Sequence, residues 1–156
     1  MFNFISLLLV FSCGNECILN FNSVGINDYE LGMSLSEING CSKDVKEVGK
    51  SKKDSSIFIY SFSEVSNILG KEKEVEYFFA IKDNSLVAYV FNIYSGKEIS
   101  FYKRLIEIVK PSNNFITKSG TSFIENSNNC EKFLRIKSNK EQIIIFGGIS
   151  SIGSYW

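Results

Sequence analysis

The sequence predicts an α+β fold, an antiparallel sheet with one main helix packed on one face. Three observations predict it. Residues 75–81 and 86–93 are long β-rich runs on either side of Lys82-Asp83-Asn84-Ser85, a turn by composition. Ile99, Tyr102, Leu105, Ile106 and Val109 recur at three- and four-residue steps and make one apolar helical stripe. Residues 133–136 and 142–146 form a second strand pair around Ser138-Asn139-Lys140. Several strands and one strong helix, each with an apolar face to bury, pack as a sheet with a helical layer.

Taken in order, the chain opens with Met1 to Ser12, which is apolar and uncharged, followed by Cys13 and the abrupt polarity of Gly14-Asn15-Glu16. Residues 1–12 read as a signal peptide, because a secretory signal has an apolar centre of roughly 7–15 residues and a small residue at its cleavage site. The run is too short to span a bilayer, which takes about 20 apolar residues. Residues 13–24 are expected as a tether, with an extended stretch at 17–21, and residues 25–156 as a single α+β domain of ordinary size. Ser34 with Glu37 three residues later is a capping box, so a short helix is expected to begin there and end near Gly40. Lys43, Lys46, Lys50, Lys52 and Lys53 lie among acidic and small residues and read as a solvated loop; contact with anionic lipid headgroups is the less economical alternative.

Residues 57–60 are β-rich, and 64–69 are expected to form one or two helical turns stopped by Gly70. In 86–93 both parities are largely apolar, which predicts a central strand covered on both sides. Ser95-Gly96-Lys97-Glu98 is a second capping box and opens the expected helix 97–109, which Pro111 ends by disfavouring the α conformation before it. Weak strands are expected at 115–117 and 122–124, and the tail from Gly147 to Trp156 reads as small and flexible.

Composition removes several functions. Histidine is absent, which excludes Ser-His-Asp and Cys-His catalysis, His-ligated zinc and a histidine pH switch. Lysine plus arginine and aspartate plus glutamate both number 17, and a net charge of zero argues against nucleic acid as a partner. Glu72, Glu74, Glu76, Asp83 and Glu107 show no spacing that singles out a catalytic carboxylate pair. No catalytic, cofactor-binding or metal site is expected, and no cofactor. Gly148-Ile149-Ser150-Ser151-Ile152-Gly153 has the glycine spacing of a phosphate loop but lacks its lysine, with Ser154 in that place, and reads instead as a glycine-softened strand end. The cysteines are Cys13, Cys17, Cys41 and Cys130. Outside the cytoplasm a Cys41–Cys130 disulfide is the favoured pair, with free or buried thiols as the alternative. Tyr155 and Trp156 are contact candidates; they also match the aromatic end of an outer-membrane barrel, but a capped helix has no place in one.

Val10-Phe11-Ser12-Cys13 resembles a bacterial lipobox, although no basic residue precedes it and Phe11 is bulkier than usual. The resemblance implies that Cys13 receives a diacylglyceryl group and becomes the first residue. With Gly14 rather than Asp after the cysteine, the implied address is the cell envelope, at the outer membrane. Gly32-Met33-Ser34 with Glu37-Ile38, and Glu64-Val65 with Leu69-Gly70 before the 75–93 hairpin, resemble the small BamE-like lipoprotein domains. That resemblance covers about a third of the chain and departs at 57–60, at the long helix and at the second hairpin. It implies helices on one antiparallel sheet and a role in assembly. The functional expectation is a lipid-anchored, non-enzymatic envelope protein that binds another envelope protein or supports assembly. An immunity-type or inhibitor lipoprotein that caps an effector enzyme is the alternative.

Overall fold

The computed structural model describes residues 29–41, 44–94, 98–109, 116–119, 122–127, 130–139 and 141–149. Among these the architecture is α+β: an eight-stranded antiparallel sheet and two helices. The order along the chain is α1 (Leu35–Cys41), β1 (Lys46–Lys50), β2 (Phe58–Ile68), β3 (Lys71–Lys82), β4 (Ser85–Tyr94), α2 (Ile99–Val109), β5 (Ile116–Ser119), β6 (Ser122–Ser127), β7 (Cys130–Ser138) and β8 (Gln142–Ile149). Across the sheet the order is β1-β2-β3-β4-β8-β7-β6-β5. Two four-stranded meanders are thus joined where β4 pairs with β8, Ala88 opposite Gly148 through Tyr94 opposite Gln142.

Local chemistry explains the turns and caps. Asp83 and Asn84 have φ of 49° and 60°, and Lys82 pairs with Ser85, a two-residue turn whose backbone matches the strand twist. Leu69 and Gly70, at φ 56° and 80°, make the same kind of turn between Ile68 and Lys71. At α1 the capping box is reciprocal. The Glu37 N–H donates to Ser34 Oγ (3.3 Å) and the Ser34 N–H to Glu37 Oε2 (2.7 Å). The first intrahelical bond of α2 runs from the Tyr102 N–H to the Glu98 carbonyl (3.2 Å), so this helix begins at Ile99 rather than at residue 97. The Ser95 half of the second expected capping box lies outside the described residues.

Four other expectations are corrected. Residues 64–69 are not helical: Glu64–Ile68 finish β2, and Gly70 serves a hairpin rather than a helix end. Their helix-forming residues are overridden by continuous pairing with β3. The lysine-rich 43–53 region contains edge strand β1, whose register shifts between Glu47 and Gly49 and leaves Val48 exposed. Gly147 and Gly148 are not tail but interior β8, held between β4 and β7. Cys41 is an exposed free thiol at the last residue of α1, so the Cys41–Cys130 bridge is not formed. The strands expected at 115–117 and 122–124 are present and extend further, as β5 and β6.

The core lies on one face of the sheet, called inner here. Val75, Tyr77, Phe79, Tyr89, Phe91, Ile93, Leu134, Ile136, Ile143 and Ile145 are buried there, at alternating positions of β3, β4, β7 and β8. Phe62 stacks on Tyr77 at 4.5 Å, and Tyr89 on Phe91 at 4.5 Å. Tyr29, Leu31 and Ile38 belong to the same buried cluster, as do Phe101 and Leu105 of α2. The segment before α1 is tied to β4 by hydrogen bonds from the Gly32 N–H to the Leu86 carbonyl and from the Leu86 N–H to the Met33 carbonyl, each 2.8 Å. β4 is central, as its two-sided apolar pattern predicts, and is buried from Leu86 to Phe91.

Candidate interaction surface

The opposite face of the sheet, called outer here, carries the remaining charged and apolar side chains of the central strands. At one end it is closed by the loop before β2. There Ile57 is buried with Ile59, Ala80, Val87 and Ala88. Asp54 ties that loop together: its carboxylate accepts from the Ser56 N–H (3.0 Å), the Ser56 hydroxyl (2.6 Å) and Lys82 Nζ (2.9 Å). Those bonds, the Ser56 hydroxyl first and Lys82 next, hold Asp54 down at about 2.

Away from that loop, strand register builds rows across the outer face. Glu76 lies opposite Asn92, Asn92 opposite Ile144, and Ile144 opposite Lys137. The next row reads Phe78, Val90, Phe146 and Arg135. Each row therefore runs from β3 across β4 and β8 to a cation on β7, with Asn92 and Ile144 at the centre of the first and the apolar pair Val90 and Phe146 at the centre of the second. Glu72 and Glu74 share the Glu76 parity, so β3 forms an acidic flank, while Arg135 and Lys137 form a basic one. Val90 is buried between its neighbours, and Phe78, Ile144 and Phe146 are half-buried. Glu76 Oε2 accepts from Asn92 Nδ2 (3.1 Å) and from the Tyr94 hydroxyl (3.4 Å), while Lys137 Nζ sits 5.6 Å from the Phe146 ring centre.

Polar groups elsewhere have structural work. On the inner face Glu64 Oε1 accepts from the Tyr77 hydroxyl (3.0 Å) and the Ser66 hydroxyl (2.9 Å), and burial pushes the Tyr77 phenol well above its ordinary range. At the start of α2, Glu98 meets Lys71 (2.7 Å) and Lys73 (3.1 Å), which together hold its carboxyl below the usual value. Lys73 also lies 5.2 Å from the centre of the Phe101 ring. Among the described residues no group of three His, Cys, Asp or Glu side chains is placed to hold a metal ion, and no helix is long and apolar enough to cross a membrane.

The expected site residues are dispersed. Cys13, Tyr155 and Trp156 lie outside the described residues, as does the side chain of Glu107. Cys41 stands exposed at the end of α1, Cys130 opens β7, and Asp83 occupies the hairpin turn. Glu72, Glu74 and Glu76 are brought together on one strand face. Their counterparts Arg135 and Lys137 were not singled out by the sequence reading, although the three glutamates and the two cations alike show the period-two spacing that puts charges on one side of a strand. Comparison with known proteins gives no matching family model, no matching curated protein and no matching solved structure.

Proposed function

We propose that this chain is a lipid-anchored protein of the bacterial envelope, held at the outer membrane through Cys13 and acting by binding protein rather than by catalysis. The observation that carries the reading is the uncharged apolar run ending in Val10-Phe11-Ser12-Cys13. Two acyl chains anchor stably because each buried methylene contributes about 0.8 kcal/mol. In this reading α2 lies across the inner face, supported by Phe101 and Leu105 in the shared core and by the Lys71–Glu98–Lys73 link. That arrangement leaves the outer face, with its charged flanks and apolar centre, as the binding surface. The BamE-like resemblance belongs to the same proposal. Its first stretch coincides with the capped start of α1, and its second falls on strand and turn.

The test is mass spectrometry of the mature N-terminus from native membranes, paired with fractionation of Cys13→Ser. The expected result is a diacylated Cys13 as first residue and release of the variant from the membrane. A chain that keeps Met1 and fractionates unchanged as Cys13→Ser ends the anchoring proposal.

A further inference from the structure

We propose that Asn39 is a site of spontaneous covalent modification, a side-chain amide that converts to aspartate and isoaspartate and loosens α1 from the core as it does so.

Asn39-Gly40 is the one Asn-Gly pair in the sequence. The chemistry favours that pair because glycine, with no Cβ, leaves its backbone nitrogen open to close approach. The Gly40 nitrogen gives up its proton and attacks Cγ of Asn39. A C–N bond forms, the side-chain nitrogen leaves as ammonia with that proton, and a five-membered succinimide remains. Water then adds to one of the two ring carbonyls and breaks its bond to nitrogen. Opening at Cγ gives aspartate. Opening at the main-chain carbonyl gives isoaspartate, in which the backbone runs through the former side chain. Nothing is oxidised or reduced, and water is the co-reactant.

The fold leaves this asparagine the most open to reaction of those described. Asn139 accepts through its side-chain oxygen from the Glu141 N–H (2.9 Å) and the Gln142 N–H (3.0 Å), and Asn92 donates to Glu76 (3.1 Å). Asn67 lies in the β2–β3 ladder before buried, β-branched Ile68, and Asn84 occupies the tight turn between Lys82 and Ser85. Asn39 is exposed, as are Gly40 and Cys41 after it. A Cβ placed at Gly40 meets nothing within 4 Å, so the space around this peptide is open.

The ring closes only when the last turn of α1 opens, since a helical backbone engages its own N–H groups. That opening is easy here. α1 has seven residues, too few for a helix to hold by itself, and its last turn carries no basic residue to complement the dipole. It is secured by the Ser34–Glu37 capping box at its other end and by Ile38, its one buried side chain. The exposed residues beyond Ile38 fray first. Either product then acts on the helix. Aspartate puts a negative charge at the negative end of the dipole. Isoaspartate adds a carbon to the main chain directly after Ile38, the residue through which α1 joins the core.

The experiment incubates the folded full chain at mildly alkaline pH, under reducing conditions so that the exposed Cys41 thiol cannot cross-link. Mass spectrometry then reads the peptide carrying residue 39, with isotopically heavy water to mark the entering oxygen and fragmentation to separate the two products. The expected result is conversion of Asn39 ahead of Asn67, Asn84, Asn92 and Asn139, with both products present. Gly40→Ala, whose Cβ has open space, is expected to convert about tenfold or more slowly, because alanine shields the nitrogen and favours the helix. Hydrogen exchange in α1 is expected to be faster in the converted chain than in the fresh one, with β3 and β4 unchanged. Retention of the Asn39 amide in the folded chain, over a period in which the urea-unfolded chain converts, overturns the proposal. So does an alanine variant that converts at the wild-type rate, or a converted chain whose α1 exchanges as before.

Discussion

Gly147 and Gly148 sit side by side in β8 and face opposite sides of the sheet, and each is roofed by an aromatic ring from a neighbouring strand. A Cβ added at Gly147 would fall within the buried Tyr89 ring, 2.7 Å from Cε1 and closer still to Cζ and the hydroxyl. At Gly148 it would meet Ala88 Cβ at 3.0 Å and the Phe133 ring at 3.1 Å. Glycine is therefore required here for close approach rather than for backbone freedom. Gly147→Ala is expected to lower stability by about 1–3 kcal/mol, because Tyr89 is packed against Phe91 and has little room to move. Chemical denaturation of the full chain measures it, and an unchanged midpoint would show that Tyr89 is not wedged over Gly147. The sequence offered no sign of this. A glycine pair near the end of a chain reads as slack, and the rings that demand it lie on β4 and β7, many residues away.

Among the elements, the loop closing the outer face is held to the end of β3 by Asp54 and Lys82, and its strength follows pH in a defined direction. Asp54 is lowered from 3.8 to about 2 in the folded chain. A carboxylate with a depressed folded pKa contributes stability that is fully present above its unfolded value and is lost as pH falls through the folded one. Asp54→Asn is thus expected to melt below the wild type at neutral pH, with the gap closing as pH approaches 2. Melting curves across that range measure it, and a pH-independent gap would assign the effect to something other than the charge. The elements most legible in sequence were those whose signal is local. The capping box of α1, the apolar stripe of α2 and the Asp83-Asn84 turn each arise within a few residues. Residues 64–68 misled because Glu64 and Leu69 favour helix locally, whereas eleven consecutive register pairs with β3 decide the outcome. The exposed charge flanks were half legible. Glu72, Glu74 and Glu76 lie close together in sequence, but only the β4–β8 junction places Arg135 and Lys137 across from them.

At the scale of the whole molecule, stability is expected to be graded from the middle of the sheet outwards. β3, β4 and β8 carry most of the buried inner-face side chains, while β1 and β5 are edge strands with one hydrogen-bonded neighbour. Native-state hydrogen exchange is expected to be slowest in β3, β4 and β8 and fastest in β1 and β5. Exchange of β1–β4 and β5–β8 as two separate cooperative blocks would instead show that the β4–β8 seam is weak. The sequence predicted the antiparallel sheet and its central strand, but not the order 1-2-3-4-8-7-6-5, because pairing of β4 with β8 is a choice among distant partners that no local pattern encodes. That order bears on how the molecule is made. The ribosome delivers β8 after every other strand described, yet β8 occupies the middle of the finished sheet. A nascent polypeptide halted before residue 142 holds two unjoined meanders with bare flanks on β4 and β7, not a smaller version of the sheet. Completion of the sheet therefore waits for β8, the strand that closes the gap between β4 and β7.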